Sequence, residues 1–242
     1  MTRTGFGHLF RAALVAAATI ALSSSARAQE RDTPPDDGAL GTHQRHVRFD
    51  LGWRSQFVSS AGLDPFSERD HVPHLALGAS YALWARDRLS LAGALGFDYG
   101  ARSANARSSD AELSLLRFTL APEARYHVLR ILALTAKVGP TLTRQEAVLS
   151  TGLPTDLKDV SWKMGFDATA GVALEVFGYS SGKSRKPRIW VTAEGGYGFS
   201  ARSEQVLEPV KSGLAPERTT PVTLPDLSLS GPLFKAGAAL SF

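Results

Sequence analysis

The chain has 242 residues, of which 43% are hydrophobic, 21% charged and 9% aromatic, with a mean hydropathy of −0.08. That balance excludes a disordered tail, which lacks apolar surface, and a polytopic helical membrane protein, which has far more of it. Cysteine is absent, so a disulfide-stapled scaffold, a cysteine-ligated metal site and a cysteine nucleophile are excluded as well.

Residues Met1 to Ala28 have the form of a secretory signal peptide. Arg3 and Arg11 precede an apolar run from Ala12 to Leu22, and the small-residue site Ala26-Arg27-Ala28 places cleavage after Ala28. The run is 11 residues long, whereas a membrane-spanning helix needs ~20. Cleavage removes Arg3, Arg11 and Arg27 and no acid, which lowers the formal charge from +4 to +1 and leaves 214 residues. The basicity is therefore largely a targeting feature and gives no support for a nucleic-acid partner. Residues 29–45, marked by Thr33-Pro34-Pro35-Asp36-Asp37-Gly38, read as a flexible lead-in whose composition cannot bury a core.

From His46 to Phe242 apolar residues recur at every second position through eight segments, the period of a strand with two unlike faces. Val47, Phe49, Leu51, Trp53 and Phe57 share one parity in the first, with Arg48, Asp50 and Arg54 on the other. The second sets Leu75, Leu77, Ala79, Tyr81 and Leu83 on a face, and the third sets Leu89, Leu91, Leu95, Phe97 and Tyr99 against Asp98 and Arg102. Leu116, Phe118, Leu120 and Tyr126 oppose Arg117, Glu123 and Arg125 in the fourth; Leu134, Val138 and Leu142 oppose Lys137 in the fifth. The sixth alternates most cleanly, Trp162 to Val176 against Lys163, Asp167 and Glu175. The seventh puts Ile189, Val191, Tyr197 and Phe199 opposite Glu194, and the eighth puts Phe234, Ala236, Ala238, Leu240 and Phe242 opposite Lys235.

Ten-residue strands are long for a soluble sandwich, whose strands are mostly ~5 to 6 residues, but match the ~9 to 11 that a tilted strand needs to cross a bilayer. The connections alternate in length, as they do when short turns are periplasmic and long loops external. Long stretches are expected around Ser59–Pro73, Ser103–Asp110, Ser150–Asp159 and Arg202–Pro225, tight reversals at Arg86–Arg88 and Leu129-Arg130, and a moderate turn at Tyr179–Pro187, longer than the pattern asks. Aromatic residues fall near segment ends: Trp53, Phe57, Tyr99, Trp162, Tyr197 and Phe199 externally, Tyr126, Tyr179, Trp190 and Phe242 on the periplasmic side, as in the interfacial girdles of membrane proteins. Pro122 and Pro140 each delete a ladder donor at similar depth on neighbouring segments, and a bulge or kink is expected there.

With these features the chain resembles the small outer-membrane β-barrel proteins of Gram-negative bacteria, of the OmpA transmembrane-domain and OmpX type. The likeness runs from His46 to Phe242. It implies an all-β fold, an eight-stranded antiparallel up-and-down transmembrane barrel in the bacterial outer membrane. It also implies that Phe242, ending the alternating Phe234-x-Ala236-x-Ala238-x-Leu240-x-Phe242, is the signal read by the barrel-assembly machinery. Outer-membrane lipid and that machinery are the expected partners; an extracellular ligand held by the loops remains unnamed.

The inward face then carries Arg48, Arg54, Arg102, Arg117, Arg125, Lys137, Lys163 and Lys235 with Asp50, Asp98, Glu123, Asp167, Glu175 and Glu194. Charges gathered in so narrow a space must pair, and a structural lumen charge network is expected, with a narrow porin or a channel for small hydrophobic molecules as the alternative. A lipid A-modifying site could draw on His71, His74, Ser108, Ser109 and Asp110, all common loop residues without a distinctive pattern. Gly178-Tyr179-Ser180-Ser181-Gly182-Lys183-Ser184 falls one residue short of a phosphate loop because Phe177 replaces its first Gly; with Arg185, Lys186 and Arg188 it reads as a basic turn. His43 and His46 lack further ligands for a metal. No enzymatic activity, cofactor, metal or nucleic-acid partner is expected. The expected role is structural or surface-interacting, with a side-chain-filled lumen.

Overall fold

The computed structural model describes residues 47–106, 109–150, 156–177, 187–210 and 220–242. The signal segment 1–28, the lead-in 29–45, His43 and His46 lie outside the described residues, as do Ser108, Tyr179, the Gly178–Ser184 segment, Arg185 and Lys186.

Ten strands follow in chain order: β1 (Val47–Phe57), β2 (His71–Arg86), β3 (Leu89–Ala106), β4 (Ser109–Leu129), β5 (Leu132–Ser150), β6 (Leu157–Phe177), β7 (Arg188–Ser200), β8 (Ser203–Pro209), β9 (Val222–Leu227) and β10 (Gly231–Ser241). Each of β1 to β7 pairs antiparallel with its successor except β7, whose outer partner is β10, and β10 returns to β1 with Arg48 opposite Ser241 and Gln56 opposite Leu233. Eight strands thus close into an up-and-down barrel. The other two, β8 and β9, form a hairpin within the connection from β7 to β10, tied to β6 at Leu157↔Pro209 and Lys158↔Glu208.

One end of the barrel carries tight turns, Asp87-Arg88 between β2 and β3 and Arg130-Ile131 between β4 and β5. Asp87 adopts φ 51°, a left-handed conformation that two-residue hairpins require and that Asp tolerates better than most residues. The other end carries the long connections, yet more of it is strand than the sequence suggested. The stretch Ser103–Asp110 is almost entirely β3 and β4, paired out to Ala106↔Ser109, and the stretch Arg202–Pro225 contains the β8–β9 hairpin.

The parity of inward and outward positions is constant along the strands, but the chemistry of the two faces inverts once, and β4 shows it most clearly. Leu116, Phe118, Leu120, Pro122, Ala124 and Tyr126 point outward while Arg117, Glu123 and Arg125 are buried inside; toward the loop end the outward positions become Ser114, Glu112 and Asp110 and the inward ones Leu115, Leu113 and Ala111. Strand β5 switches between Leu142 and Arg144. Below the switch the wall is apolar outside and polar inside, as lipid demands; above it the wall is polar outside and apolar inside, as water demands. The lower zone forms a belt of exposed apolar side chains, among them Leu51, Leu95, Leu120, Met164 and Val191, and the barrel is of the transmembrane type.

Three ladders break register near the turn end, between Ala82 and Trp84, His127 and Leu129, and Glu175 and Phe177. In each the extra residue leaves two consecutive apolar side chains on the outer face: Leu83 with Trp84, Val128 with Leu129, and Val176 with Phe177. Bulges at a barrel rim re-aim side chains in this way, and here they enrich the boundary of the belt. Trp84 is a girdle residue that strict alternation conceals.

No bulge occurs at Pro122 and Pro140. Pairing stops at Thr119↔Thr141 and resumes in the same register at Glu123↔Lys137, while the ladders on the far sides, Gly93↔Pro122 and Pro140↔Phe166, continue. The missing donors therefore cost one short gap in the β4–β5 seam and no slip. Close approach of the two strands there depends on Gly139, where a Cβ would lie 2.1 Å from the Leu120 carbonyl oxygen and 2.7 Å from the Ala121 Cα. Gly139→Val is expected to destabilise the barrel by at least ~2 kcal/mol, the scale of overpacking, read as a lower urea midpoint in micelles; Gly195→Ala, where a Cβ meets nothing within 4 Å, is the neutral comparison.

Candidate functional site: the charged lumen and its apolar cap

Inward positions of the belt zone bring together charges that are distant in sequence. Toward the loop end, Arg54 Nη1 donates to Asp98 Oδ2 at 3.0 Å and to Asp167 Oδ2 at 2.9 Å. Arg117 donates to the other oxygen of Asp167 and to Thr141 Oγ1 at 3.3 Å. Gln56 Oε1 accepts from both arginines, at 3.0 and 3.1 Å, and its amide donates to the Leu229 carbonyl. Asp167 is thus a bridge between two guanidinium groups buried on different strands.

A second layer lies nearer the turns. Glu123 accepts two bonds from Arg125, at 2.8 and 3.0 Å, and Arg125 also donates to Ser80. Lys137 Nζ sits 2.7 Å from Glu194 Oε1 and 4.0 Å from Glu123 Oε1, while Arg48 holds Asp50 at 2.9 Å. At the turn end Arg188 meets Glu175 at 3.2 Å. The fork-to-fork contact of Arg125 with Glu123 and the single contacts around it return part of what burial takes from each charge.

Of the fourteen expected lumen residues, Lys163 and Lys235 face the interior but make no ion pair among the described residues. Arg102 sits at the rim, donating to the His71 carbonyl at 3.0 Å and lying 2.8 Å from His71 Nε2. Three residues assigned elsewhere belong inside. Arg188, read as part of a basic turn, is buried against Glu175. Trp190, read as a girdle residue, is 6% exposed and donates from Nε1 to Ser241 Oγ at 3.0 Å; its even parity on β7, opposite Ile189 and Val191, was the signal. His74, read as a loop residue, is buried on β2 over Gly100, where a Cβ would come within 2.5 Å of the imidazole. Gln56 and Thr141 have the inward parity, but they and Ser80 join the network as uncharged partners, a role that an uncharged polar side chain does not announce in the sequence.

Among the described residues, those considered for lipid A chemistry are not brought together. His74 is in the lumen, His71 is engaged with Arg102, and Asp110 accepts from Asn105 Nδ2 at 2.6 Å across the β3–β4 end. Among the described residues no group of three metal-capable side chains occurs.

Above the charged layers the interior turns largely apolar, with Gln145 and Gln205 also buried there. Leu113 and Leu115 of β4, Ala147 of β5 and Leu157 of β6 pack with Val58, Leu63 and Phe66 from the β1–β2 connection and with Leu207, Leu227 and Leu229 from the β8–β9 region, all buried. Fully burying such a side chain contributes ~1.5–3 kcal/mol. The connection is fixed from within by Val58 N to Asp70 O at 2.8 Å and Phe66 N to Leu63 O at 2.9 Å. At the opposite end Phe242 donates its amide to the Val47 carbonyl at 3.0 Å and packs edge-on to Phe49, with centroids 6.4 Å apart.

On the water-facing side of the loop-end wall, Glu146 lies 2.5 Å from Lys158 and 2.8 Å from Arg144. Partial burial works against its ionised form, but the two cations outweigh it and hold its carboxyl below the ordinary 4.5.

A closed eight-stranded barrel with a lipid belt, ion pairs on its inward face and an apolar cap defines the class of small transmembrane β-barrels. No protein-family model and no curated protein matches the chain in sequence. Among solved structures it is similar to Ail, the attachment invasion locus protein of Yersinia pestis. The crystal structure of Ail in complex with the heparin analogue sucrose octasulfate aligns with a TM-score of 0.48 at 12% identity, covering 82% of this chain and 99% of Ail. A second Ail crystal structure aligns with a TM-score of 0.44 at 10% identity and the same coverage. At that identity the likeness concerns the fold alone.

Two outcomes follow. Asp167→Ala leaves Arg117 without an acidic partner and Arg54 with Asp98 alone and is expected to cost ~3–5 kcal/mol, against at most ~1 for Glu146→Gln, both read from urea midpoints. Because the folded pKa of Glu146 is lowered, its contribution is present above about 4.5 and lost as pH falls through the folded value. The difference between wild type and Glu146→Gln should therefore be largest near neutrality and close on acidification below pH 4.5.

Proposed function

We propose that this protein is an exported outer-membrane barrel of a Gram-negative bacterium that serves as a sealed anchor for an external interaction surface. The observation that carries the reading is the apolar cap. A channel keeps its axis wet, whereas this interior is filled first by paired charges and then, on the loop side, by Leu113, Leu115, Phe66 and Leu207 in mutual contact. Strands that run past the lipid belt and fold there into a water-type wall enlarge the exposed loop end, and loops held by a rigid scaffold are where binding usually resides. In this reading the signal segment 1–28 directs export, Phe242 is presented to the barrel-assembly machinery, and the charged lumen acts as filling and performs no chemistry.

Fractionation with gel mobility compared before and after boiling tests the location. The protein should be found in outer membranes and run faster unheated; recovery only from the soluble periplasm without heat-dependent mobility would replace this reading with a soluble, lipocalin-like barrel. Planar-bilayer recording tests the seal separately: the refolded protein should be silent, and reproducible single-channel steps would restore the narrow-channel alternative.

A further inference from the structure

The loop end holds a cleft of about 610 Å³ between the start of the β1–β2 connection and the residues leading into β10, within the ~300–1,000 Å³ of small-molecule sites. Its walls include Phe57 and Tyr197, which also mark the upper edge of the lipid belt, and the charged residues Asp70, Arg202 and Asp226. The frame is rigid. Ser60 Oγ donates to the Asp226 carbonyl at 2.9 Å and accepts from the Ser228 amide at 3.1 Å; Ser230 Oγ accepts from the Ser200 amide at 2.9 Å. Gly231 lets the chain pass so close to β1 that a Cβ would lie 1.8 Å from the Phe57 carbonyl oxygen. The serines thus spend their bonds on the frame, while the side chains of Asp70, Asp226 and Arg202 make none within the described structure.

We propose that this cleft binds a neutral saccharide. Two carboxylates against one guanidinium disfavour an anion such as a phosphate or sulfate. The same groups suit vicinal hydroxyls, which donate to Asp70 and Asp226 and accept from Arg202, with charge-assisted bonds stronger than neutral ones. Phe57 and Tyr197 supply flat apolar faces for the C–H side of a sugar ring, and Tyr combines that face with a polar tip. The sugar could be carried by a soluble glycan or by a glycolipid headgroup, since the cleft opens where the belt ends. The inference rests on the reading of this end as external.

The test uses the full mature chain in nanodiscs on an array of immobilised neutral, sialylated and sulfated oligosaccharides, and in discs containing a neutral monohexosyl glycolipid. Binding to neutral sugars is expected. It should weaken about tenfold or more, some 1.4 kcal/mol or above, in Asp226→Asn and Arg202→Gln and remain unchanged in Glu112→Gln, a water-facing residue of β4 away from the cleft. Loss of array binding when the glycolipid shares the disc assigns the source to the headgroup; retention assigns it to the soluble glycan, and both support the site. Binding confined to sulfated or sialylated sugars, unaltered binding in the variants, or no binding by a preparation that still shows heat-dependent mobility would overturn the proposal. Absence of heat-dependent mobility would instead remove the outer-membrane reading beneath it.

Discussion

Hydrocarbon offers no partner to an amide, so every backbone donor and acceptor that crosses it has to be met within the protein. Here the seam between β1 and β10 meets that demand for the two strands that would otherwise be edges. Closure then dictates the rest: alternate side chains must face lipid, their neighbours must face a narrow interior, and any charge placed there loses bulk water. The ion pairs centred on Asp167 and Glu123 are a consequence of closure. The prolines show how tight the constraint is. Pro122 and Pro140 open the same stretch of one seam, so the defects of two strands are confined to a single gap and the flanking ladders stay whole.

The strands serve two solvents in succession, and their faces record it. Along β4 the hydrophobic parity moves from odd to even positions at Leu115 and Leu116, with no bulge to cause it; only the surroundings change. The loop end therefore behaves as a small water-type core built on the stumps of membrane strands. Its cap draws on the β1–β2 connection and on β8–β9, which explains why the latter is folded at all: two short strands are marginal alone, and burying Leu207 and Leu227 against β4 and β6 supplies what the hairpin lacks.

How much of this could be read beforehand follows from the range of each signal. Alternation is local, and the eight barrel strands, their order and the inward charges are legible in it. Pairing among those charges is not, because Arg54 meets Asp167 across 113 positions and no local pattern encodes that meeting. Strand ends misled for a different reason. The parity inversion beyond Leu115 breaks the lipid pattern, so Ser103–Asp110 reads as loop although it is paired, and His74 reads as connection although it is a lumen residue. Trp190 reads as a girdle residue by type although its parity places it inside, and Trp84 escapes alternation because a bulge overrides parity.

The two ends of the barrel differ in what they can present. At the turn end, among the described residues, two two-residue turns and three rim bulges leave little beyond the lipid belt, and the features found there, Trp84, Phe177 and Phe242, suit a boundary with lipid. At the loop end the wall continues, its interior is largely apolar, and the connections are bonded to it by Val58, Ser60 and Ser230. Loops fixed in this way inherit the rigidity of the barrel, so a cleft between them keeps its shape without a ligand, and the ordering cost that weakens binding by flexible loops is largely absent. The ion pairs inside the barrel and the apolar cluster above them serve the same end, because both tie the wall beneath these connections together across several strands.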